Sequence, residues 1–305
     1  MRCLELPIFY RCVNRCAFCS NTAQMGAFGE HPLTLEEIRG ILRAKRAAGF
    51  GHVTFTGGEP TLHPAFLEAL AEAKSLGLRT QAVSNGCALA IKPFADAALP
   101  RLDELCLSIH GSRAAVHDKV TGNPRSFRRL KAALAAVARA KRDVFLIVNV
   151  VVSKLNVDDL EGVARLALAQ KRLRQLWVSS LIPEGEALRR WRSLAVPYRR
   201  VLERLPAVAE AARRRGATLR LFGFPPCVLG ELRVHDSGLY KNPNAAVERV
   251  VRRGRAGLRS LPRGLKPPER GKTRRCAGCG LRARCQGVWK AYLRRFGDGE
   301  LEAQP

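Results

Sequence analysis

The sequence predicts an α/β fold: an open, partial (β/α)6 barrel of parallel strands followed by a small C-terminal appendage. Three observations predict it. Short apolar runs alternate with helix-period segments as far as about residue 222. One run, Phe145-Leu146-Ile147-Val148-Asn149-Val150-Val151-Val152, is almost continuously apolar, as suits a strand covered on both faces. Polar, glycine-rich and cysteine-rich turns recur where the predicted strands end, and chemistry gathers at that end of parallel sheets.

Residues 4–10 read as the first strand, running into a cysteine loop. Residues 33–48 read as a helix, with Thr34 as N-cap and Glu37 completing a capping box. Residues 52–56 form a strand that ends at Gly57-Gly58-Glu59-Pro60. A helix over 64–76 is stopped by Gly77. Residues 79–84 form a strand, Asn85-Gly86 turns, and 88–98 form a short helix. The second half repeats the pattern. Strands are expected over 103–109, 143–153, 174–181 and 217–222, with helices over 126–141, 157–169 and 196–215. Serial β–α units imply right-handed crossovers, and about six of them are too few to close an eight-stranded barrel. The pattern breaks at Gly223-Phe224-Pro225-Pro226-Cys227. Residues 1–222 are therefore expected to form the core and residues 223–305 a second, smaller domain. Residues 241–275 are rich in Arg, Lys, Pro and Gly with little apolar periodicity. They read either as a basic lip for an acidic peptide or nucleic acid, or as a solvated insert. Residues 288–296 read as a closing helix.

The chain has 305 residues and 47% hydrophobic content, enough for a well-buried core. It has no apolar run of about eighteen residues, so no membrane span is expected. The first residues lack a signal-peptide pattern, and a soluble cytoplasmic protein is expected. The formal net charge of +27 permits nucleic acid, acidic peptides or anionic small molecules as partners. The Arg, Ala, Gly, Leu and Val bias of a GC-rich genome gives the same charge with no partner. There are ten cysteines. Without an export signal, clustered cysteines more often bind metal or do redox chemistry than form disulfides. Cys3, Cys87 and Cys106 stand alone and read as small packing residues.

Cys12, Cys16 and Cys19 have the spacing C-x3-C-x2-C. Three thiolates on one loop can hold three irons of a 4Fe–4S cube and leave the fourth open to a small molecule. The alternatives are three unrelated cysteines or zinc, although a tetrahedral zinc site usually takes four ligands and His31 is the nearest candidate.

That spacing, the aromatic Phe18 before the third cysteine, and Gly57-Gly58-Glu59-Pro60 together resemble the radical S-adenosylmethionine (SAM) superfamily. The resemblance implies a partial barrel in which SAM chelates the open iron. It places Phe18 near the adenine, and Gly57, Gly58, Glu59 and Pro60 at the methionine end. It puts Ser84, Ser108 and Asn149 at positions that contact SAM or substrate. It also implies an external electron donor of flavodoxin or ferredoxin type, and a 5′-deoxyadenosyl radical that abstracts hydrogen from substrate. Each residue has a plainer reading. Gly57-Gly58 can be only a tight turn, Ser84 and Ser108 can satisfy backbone groups, and Asn149 can bond a neighbouring loop. His110 most simply packs and hydrogen-bonds.

Cys276, Cys279 and Cys285 read C-x2-C-x5-C, a truncated likeness of the SPASM domains of peptide-modifying radical SAM enzymes. Trp289 stands where that pattern has a further cysteine. Cys227 supplies a fourth ligand, which resembles the shorter twitch appendage and implies an auxiliary 4Fe–4S cluster; structural zinc is the alternative. Thr121-Gly122-Asn123-Pro124-Arg125-Ser126-Phe127 also resembles SPASM/twitch-type members. The expected function is hydrogen abstraction from a peptide or protein side chain. A nucleoside, tRNA base or cofactor precursor is the alternative substrate. A zinc-dependent nucleic-acid-binding protein is the alternative from another class. The first strand begins almost at Met1, so recognition of a leader peptide is expected to need a separate protein or the basic insert.

Overall fold

The computed structural model describes residues 1–237, 247–253, 257–262 and 270–305, with 247–253 and 257–262 as backbone. Seven strands run parallel and lie side by side in sequence order: β1 (Arg2–Phe9), β2 (Phe50–Gly57), β3 (Arg79–Ser84), β4 (Glu104–Ser108), β5 (Phe145–Val152), β6 (Leu173–Ser180) and β7 (Thr218–Phe222). β7 forms one edge of the sheet, so the barrel is open. The fold class read from the sequence is the one observed.

Alternation along the strands divides the sheet into two faces. Leu4, Leu6 and Ile8 of β1 are fully buried, and Phe55 of β2 meets Phe66 edge to face at 5.9 Å. Phe66 belongs to the crossover helix Phe66–Ser75, whose Phe66, Ala69, Leu70 and Ala73 form a fully buried stripe at helical spacing. Each Leu or Phe buried this way contributes about 2 kcal/mol. The opposite, inner face carries the polar residues: Cys3, His52, Gln81 and Glu104 near the strand starts, and Thr56, Ser108, Asn149 and Ser179 near their ends.

The capping box of the helix Leu35–Ala47 forms as expected: the Glu37 N–H donates to Thr34 Oγ1 at 3.1 Å, and the Thr34 N–H to Glu37 Oε2 at 2.7 Å. The helix expected over 196–215 is two helices, Tyr198–Leu202 and Leu205–Arg215. Pro206 has no N–H to give to the preceding turn, so a new helix begins around it. Short helices also form over Thr22–Phe28 and Ala114–Thr121.

The basic segment contains structure that its composition hides. β8 (Val247–Arg253) pairs parallel with β1, and β9 (Gly257–Pro262) pairs antiparallel with β8. Val247, Val250, Val251, Leu258 and Leu261 supply the β propensity, and the intervening arginines mask it. Arg255, Arg263 and Lys266 lie outside the described residues.

The C-terminal segment packs onto the same core. β10 (Arg270–Gly271) pairs antiparallel with β11 (Val288–Trp289), and the helix Lys290–Phe296 follows. Tyr292 stacks on Tyr198 with centroids 4.0 Å apart, and its hydroxyl accepts from the Tyr198 N–H at 2.8 Å. Trp191 Nε1 donates to the Ala291 carbonyl at 3.0 Å. Trp289 is buried, with the Arg270 guanidinium 3.6 Å above its ring. Among the described residues no helix is long and apolar enough to cross a membrane.

Candidate active site

The loop after β1 carries Cys12, Cys16 and Cys19, and neighbouring loops clamp it from three sides. On one side, the N–H groups of Arg15 and Ala17 donate to the carbonyls of Thr121 and Val120, both at 2.8 Å. Gly122 turns there with φ +61°, and a Cβ on it would stand 2.6 Å from the Arg15 carbonyl oxygen. Asn123 Nδ2 donates to Asn14 Oδ1 at 2.8 Å and to the Val13 carbonyl at 3.2 Å. On the second side, the Glu186 N–H donates to the Cys19 carbonyl at 2.9 Å.

Gly57, Gly58 and Glu59 form the third side. The Gly58 N–H donates to the Phe9 carbonyl and the Glu59 N–H to the Arg11 carbonyl, both at 2.8 Å. A Cβ on Gly57 would lie 2.1 Å from the Phe9 oxygen, and one on Gly58 2.4 Å from the Tyr10 oxygen. Only glycine permits this approach. Asn21 Nδ2 closes the bracket by donating to the Gly57 carbonyl at 2.7 Å.

Glu59 is buried at the centre. Its carboxylate accepts from Thr61 Oγ1 at 2.6 Å, the Thr61 N–H at 3.1 Å, Ser84 Oγ at 2.8 Å and the Asn85 N–H at 2.7 Å. Burial raises its pKa, and these four donors work against that rise. Both oxygens are engaged with protein, so Glu59 anchors the loops. Ser84 is equally committed: it donates to Glu59 and accepts from the Gly86 N–H at 2.9 Å. Pro60 is buried and opens the 3-10 turn Pro60–Leu62.

The three thiols are half-buried. Burial pushes Cys12 up to about 12, with the Asn14 N–H pulling the other way. Asn85 Nδ2 also donates to Cys12 Sγ, at 3.4 Å. Burial raises Cys16 further, and the neighbouring Cys12 and Cys19 add to the rise. Burial raises Cys19 as well. Thiolates here therefore call for a cationic partner such as iron. Among the described residues no group of three His, Cys, Asp or Glu side chains is arranged to hold one ion.

Phe18 packs edge to face on His110 at 4.9 Å, and His110 stacks on His117 at 6.1 Å. His110 Nδ1 accepts from the Val151 N–H at 3.4 Å, and His117 Nδ1 from the His110 N–H at 3.2 Å. Burial pulls His110 down to about 3 and His117 to about 4, with His117 contributing to the first shift. Both rings are neutral at ordinary pH and act as packing. Ser108 lies opposite Asn149 in the β4–β5 ladder, and Asn149 Oδ1 accepts from Ser179 Oγ at 3.0 Å. Thr56 Oγ1 is buried without a hydrogen-bond partner. Trp177 and Phe222 pack at 5.1 Å on the same inner face.

Sequence reasoning passed over Asn85, reading it as half of a turn, and over the bracing roles of Asn21 and Glu186. The Asn-Gly step directly after a strand was the available signal for Asn85.

The C-terminal cysteines also come together. Cys227, Cys276, Cys279 and Cys285 line one cavity with Lys272, Arg275 and Arg282. The Gly287 N–H donates to Cys285 Sγ at 3.3 Å and the Gln304 N–H to Cys279 Sγ at 3.4 Å. Burial raises the Cys227 thiol, opposed by the Glu302 N–H. The N–H groups of Gln304 and Leu281 lower that of Cys279.

Residues 6–167, more than half of the chain, match the family profile of the Radical SAM superfamily. The PqqA peptide cyclase of Rhodopseudomonas palustris is 32% identical over 212 residues, covering 69% of this chain and 54% of that protein. The chain thus spans about half the length of that relative. Among solved structures, Streptococcus suis SuiB bound to precursor peptide SuiA superposes with a TM-score of 0.63 at 15% identity, over 99% of this chain and 74% of that one. Native anSMEcpe with bound AdoMet gives 0.56 at 17% identity, over 72% and 64%. These two likenesses are of fold. The profile match coincides with the strand, cysteine loop and Gly57-Gly58 bracket described above, and the chain belongs to the Radical SAM superfamily.

Proposed function

We propose that this protein is a peptide-modifying radical SAM enzyme, in which Cys12, Cys16 and Cys19 hold the SAM-binding 4Fe–4S cluster. Membership of the family implies that cluster and SAM as cofactors. Once reduced by a flavodoxin- or ferredoxin-type donor, they supply a 5′-deoxyadenosyl radical able to abstract hydrogen from a side chain. The observation that carries the reading is the clamped cysteine loop, packed by backbone contacts against Gly57 and Gly58 at the C-terminal end of a parallel sheet.

The chain's own residues fit that chemistry. Asn14 and Asn85 donate to Cys12 Sγ and stabilise it as a ligand. Gly57, Gly58, Glu59 and Pro60 offer backbone groups to the amino-acid end of SAM, with Glu59 and Ser84 fixing the loop behind them. Phe18 and neutral His110 wall the site and keep water and loose protons out. Ser108, Asn149, Thr56 and Ser179 give the inner face polar points for orienting SAM or substrate. The names of the relatives support a peptide substrate, one being a peptide cyclase and another a protein bound to a precursor peptide. Family membership displaces the reading as a zinc-dependent nucleic-acid-binding protein.

Residues 223–305 form, on this reading, a twitch-like auxiliary unit following the 1–222 core. Cys227, Cys276, Cys279 and Cys285 hold a second 4Fe–4S cluster, supported by their shared cavity. A separate leader-binding protein or the basic segment would present the peptide. Anaerobic reconstitution tests the whole. The expected result is about eight irons per chain, SAM cleaved to 5′-deoxyadenosine after reduction, and a mass change in a precursor peptide encoded nearby. A colourless protein that leaves SAM intact overturns the reading. Turnover of RNA in place of peptide would move the substrate to the nucleoside class.

A further inference from the structure

The inner face carries a second constellation at the opposite end of the sheet, about 20 Å from the cysteine loop along β1. Cys3 on β1 lies beside His52 on β2, its partner across the ladder. Cys3 Sγ stands 2.8 Å from His52 Nδ1. On the other side of the ring, His52 Nε2 faces Glu104 Oε1 of β4 at 3.8 Å. Glu104 is fixed in turn: Arg79 Nε donates to Oε1 at 2.6 Å and Gln81 Nε2 to Oε2 at 2.8 Å. Gln81 is held by Thr54, whose hydroxyl donates to Gln81 Oε1 at 2.8 Å. A thiol, an imidazole within hydrogen-bond reach and a carboxylate behind it follow the order of an activated nucleophile.

We propose that Cys3 is a nucleophilic thiol and a modification site for peroxide-type oxidants and similar small electrophiles, with His52 as the base that takes its proton and Glu104 as the residue that orients His52. The assignment is independent of the radical SAM reading, since none of these residues belongs to either cysteine cluster.

Proton transfer from Cys3 to His52 leaves an imidazolium between a thiolate and a carboxylate. Burial pulls His52 down, but the Cys3 contact and the Glu104 carboxylate prevail and lift it to about 9. Among the described residues the charged groups around the pair are Glu5 on β1, Arg79 on β3 and Glu104 on β4, with Glu248 and Arg249 of β8 at register positions beside Leu4 and Glu5. Cys3 is half-buried. Cys87 and Cys106 are buried, and burial pushes both thiols up to about 12. Oxidation then balances simply. The thiolate sulfur attacks one peroxide oxygen, an S–O bond forms and the O–O bond breaks. The departing hydroxide takes the proton from His52 and leaves as water. Sulfur is oxidised to sulfenic acid and the peroxide is reduced.

The test uses the full chain with its clusters reconstituted anaerobically. Limiting iodoacetamide at pH 6.5, followed by peptide mass spectrometry, should label Cys3 at least about tenfold faster than Cys87 or Cys106. His52→Gln should slow Cys3 by about tenfold at pH 6.5 and leave its rate at pH 9.5 within about twofold of the parent, where hydroxide rather than His52 takes the thiol proton. Hydrogen peroxide followed by dimedone should tag Cys3. Labelling of Cys3 no faster than Cys106 overturns the proposal without any variant, so a misfolded His52→Gln protein does not protect it. Equal slowing at both pH values, or an unchanged rate at pH 6.5, also overturns it. Absence of the dimedone tag overturns the oxidant assignment.

Discussion

Asn85 reaches Cys12: its side-chain amide stands 3.4 Å from the sulfur, while its backbone N–H donates to Glu59 at 2.7 Å. One residue at the end of β3 thus ties the cysteine loop to the buried carboxylate that organises the Gly57-Gly58 bracket. The two bonds are separable by mutation, because only one uses the side chain.

Asn85→Ala removes the N–H···S bond and keeps the backbone bond to Glu59. Loss of one such bond costs about 1 kcal/mol of stability. Its larger expected effect is on the cluster we propose for Cys12, since hydrogen bonds to ligand sulfur stabilise the more negative, reduced state. The midpoint potential should become more negative in an EPR-monitored redox titration. An unchanged potential would mean that Asn85 serves only the turn.

Gly57→Ala and Gly58→Ala test the close approach of the two loops. Their added Cβ atoms would meet the backbone oxygens of Phe9 and Tyr10, and backbone cannot swing aside as a long side chain can. Gly57 also sits at φ +130°. A loss of about 3 kcal/mol or more is expected for each, read from urea denaturation midpoints. Gly216→Ala is the control: its φ is +69°, but its Cβ position is open, so a loss of about 1 kcal/mol is expected.

The contrast between those glycines and Asn85 explains what the sequence reveals. The cysteine spacing, the Thr34 capping box and the Gly57-Gly58 step are local, and their chemistry is visible within a few residues. The Asn85–Cys12 contact spans 73 positions, and the Asn-Gly step marks Asn85 at a strand end without naming its partner. The neutral His110–His117 pair depends on burial that only the assembled sheet provides. β8 was hidden for another reason: arginines interrupt its valines, and its pairing with β1 joins residues far apart in the chain. Trp289 shows the reverse. Its place in a truncated cysteine pattern was legible, and its role as a buried packing residue beneath Arg270 was not.

Cys227→Ala separates the two groups of cysteines. Cys227 lies about fifty residues before Cys276, yet all four thiols line one cavity. On the proposed two-cluster reading, iron should fall from about eight to about four per chain, with SAM cleavage retained. The converse variant, Cys12→Ala with Cys16→Ala and Cys19→Ala, should also keep about four irons but lose SAM cleavage. If Cys227→Ala leaves iron and the EPR spectrum unchanged, Cys227 is not a ligand.

His110 and His117 predict the acid side of the stability profile. Burial holds them at about 3 and about 4, well below the unfolded value of roughly 6.5. Above that value both states carry neutral rings, and the pair makes no pH-dependent contribution. Below it the unfolded chain takes up protons that the folded chain refuses, so stability falls as the pH drops. At pH 5.5 the two together should cost about 2.5 kcal/mol relative to pH 7. Asp103 and Glu104 have lowered pKa values, so they begin to lose their contributions only near the carboxylate range below this window. His52 acts in the opposite sense. Its folded value of about 9 gives stability that is complete below 6.5 and lost as the pH rises through 9. Stability should therefore peak near pH 6.5. His110→Asn should flatten only the acid limb in denaturation midpoints measured from pH 5 to 7. An acid limb as steep in His110→Asn as in the parent would remove His110 from this account.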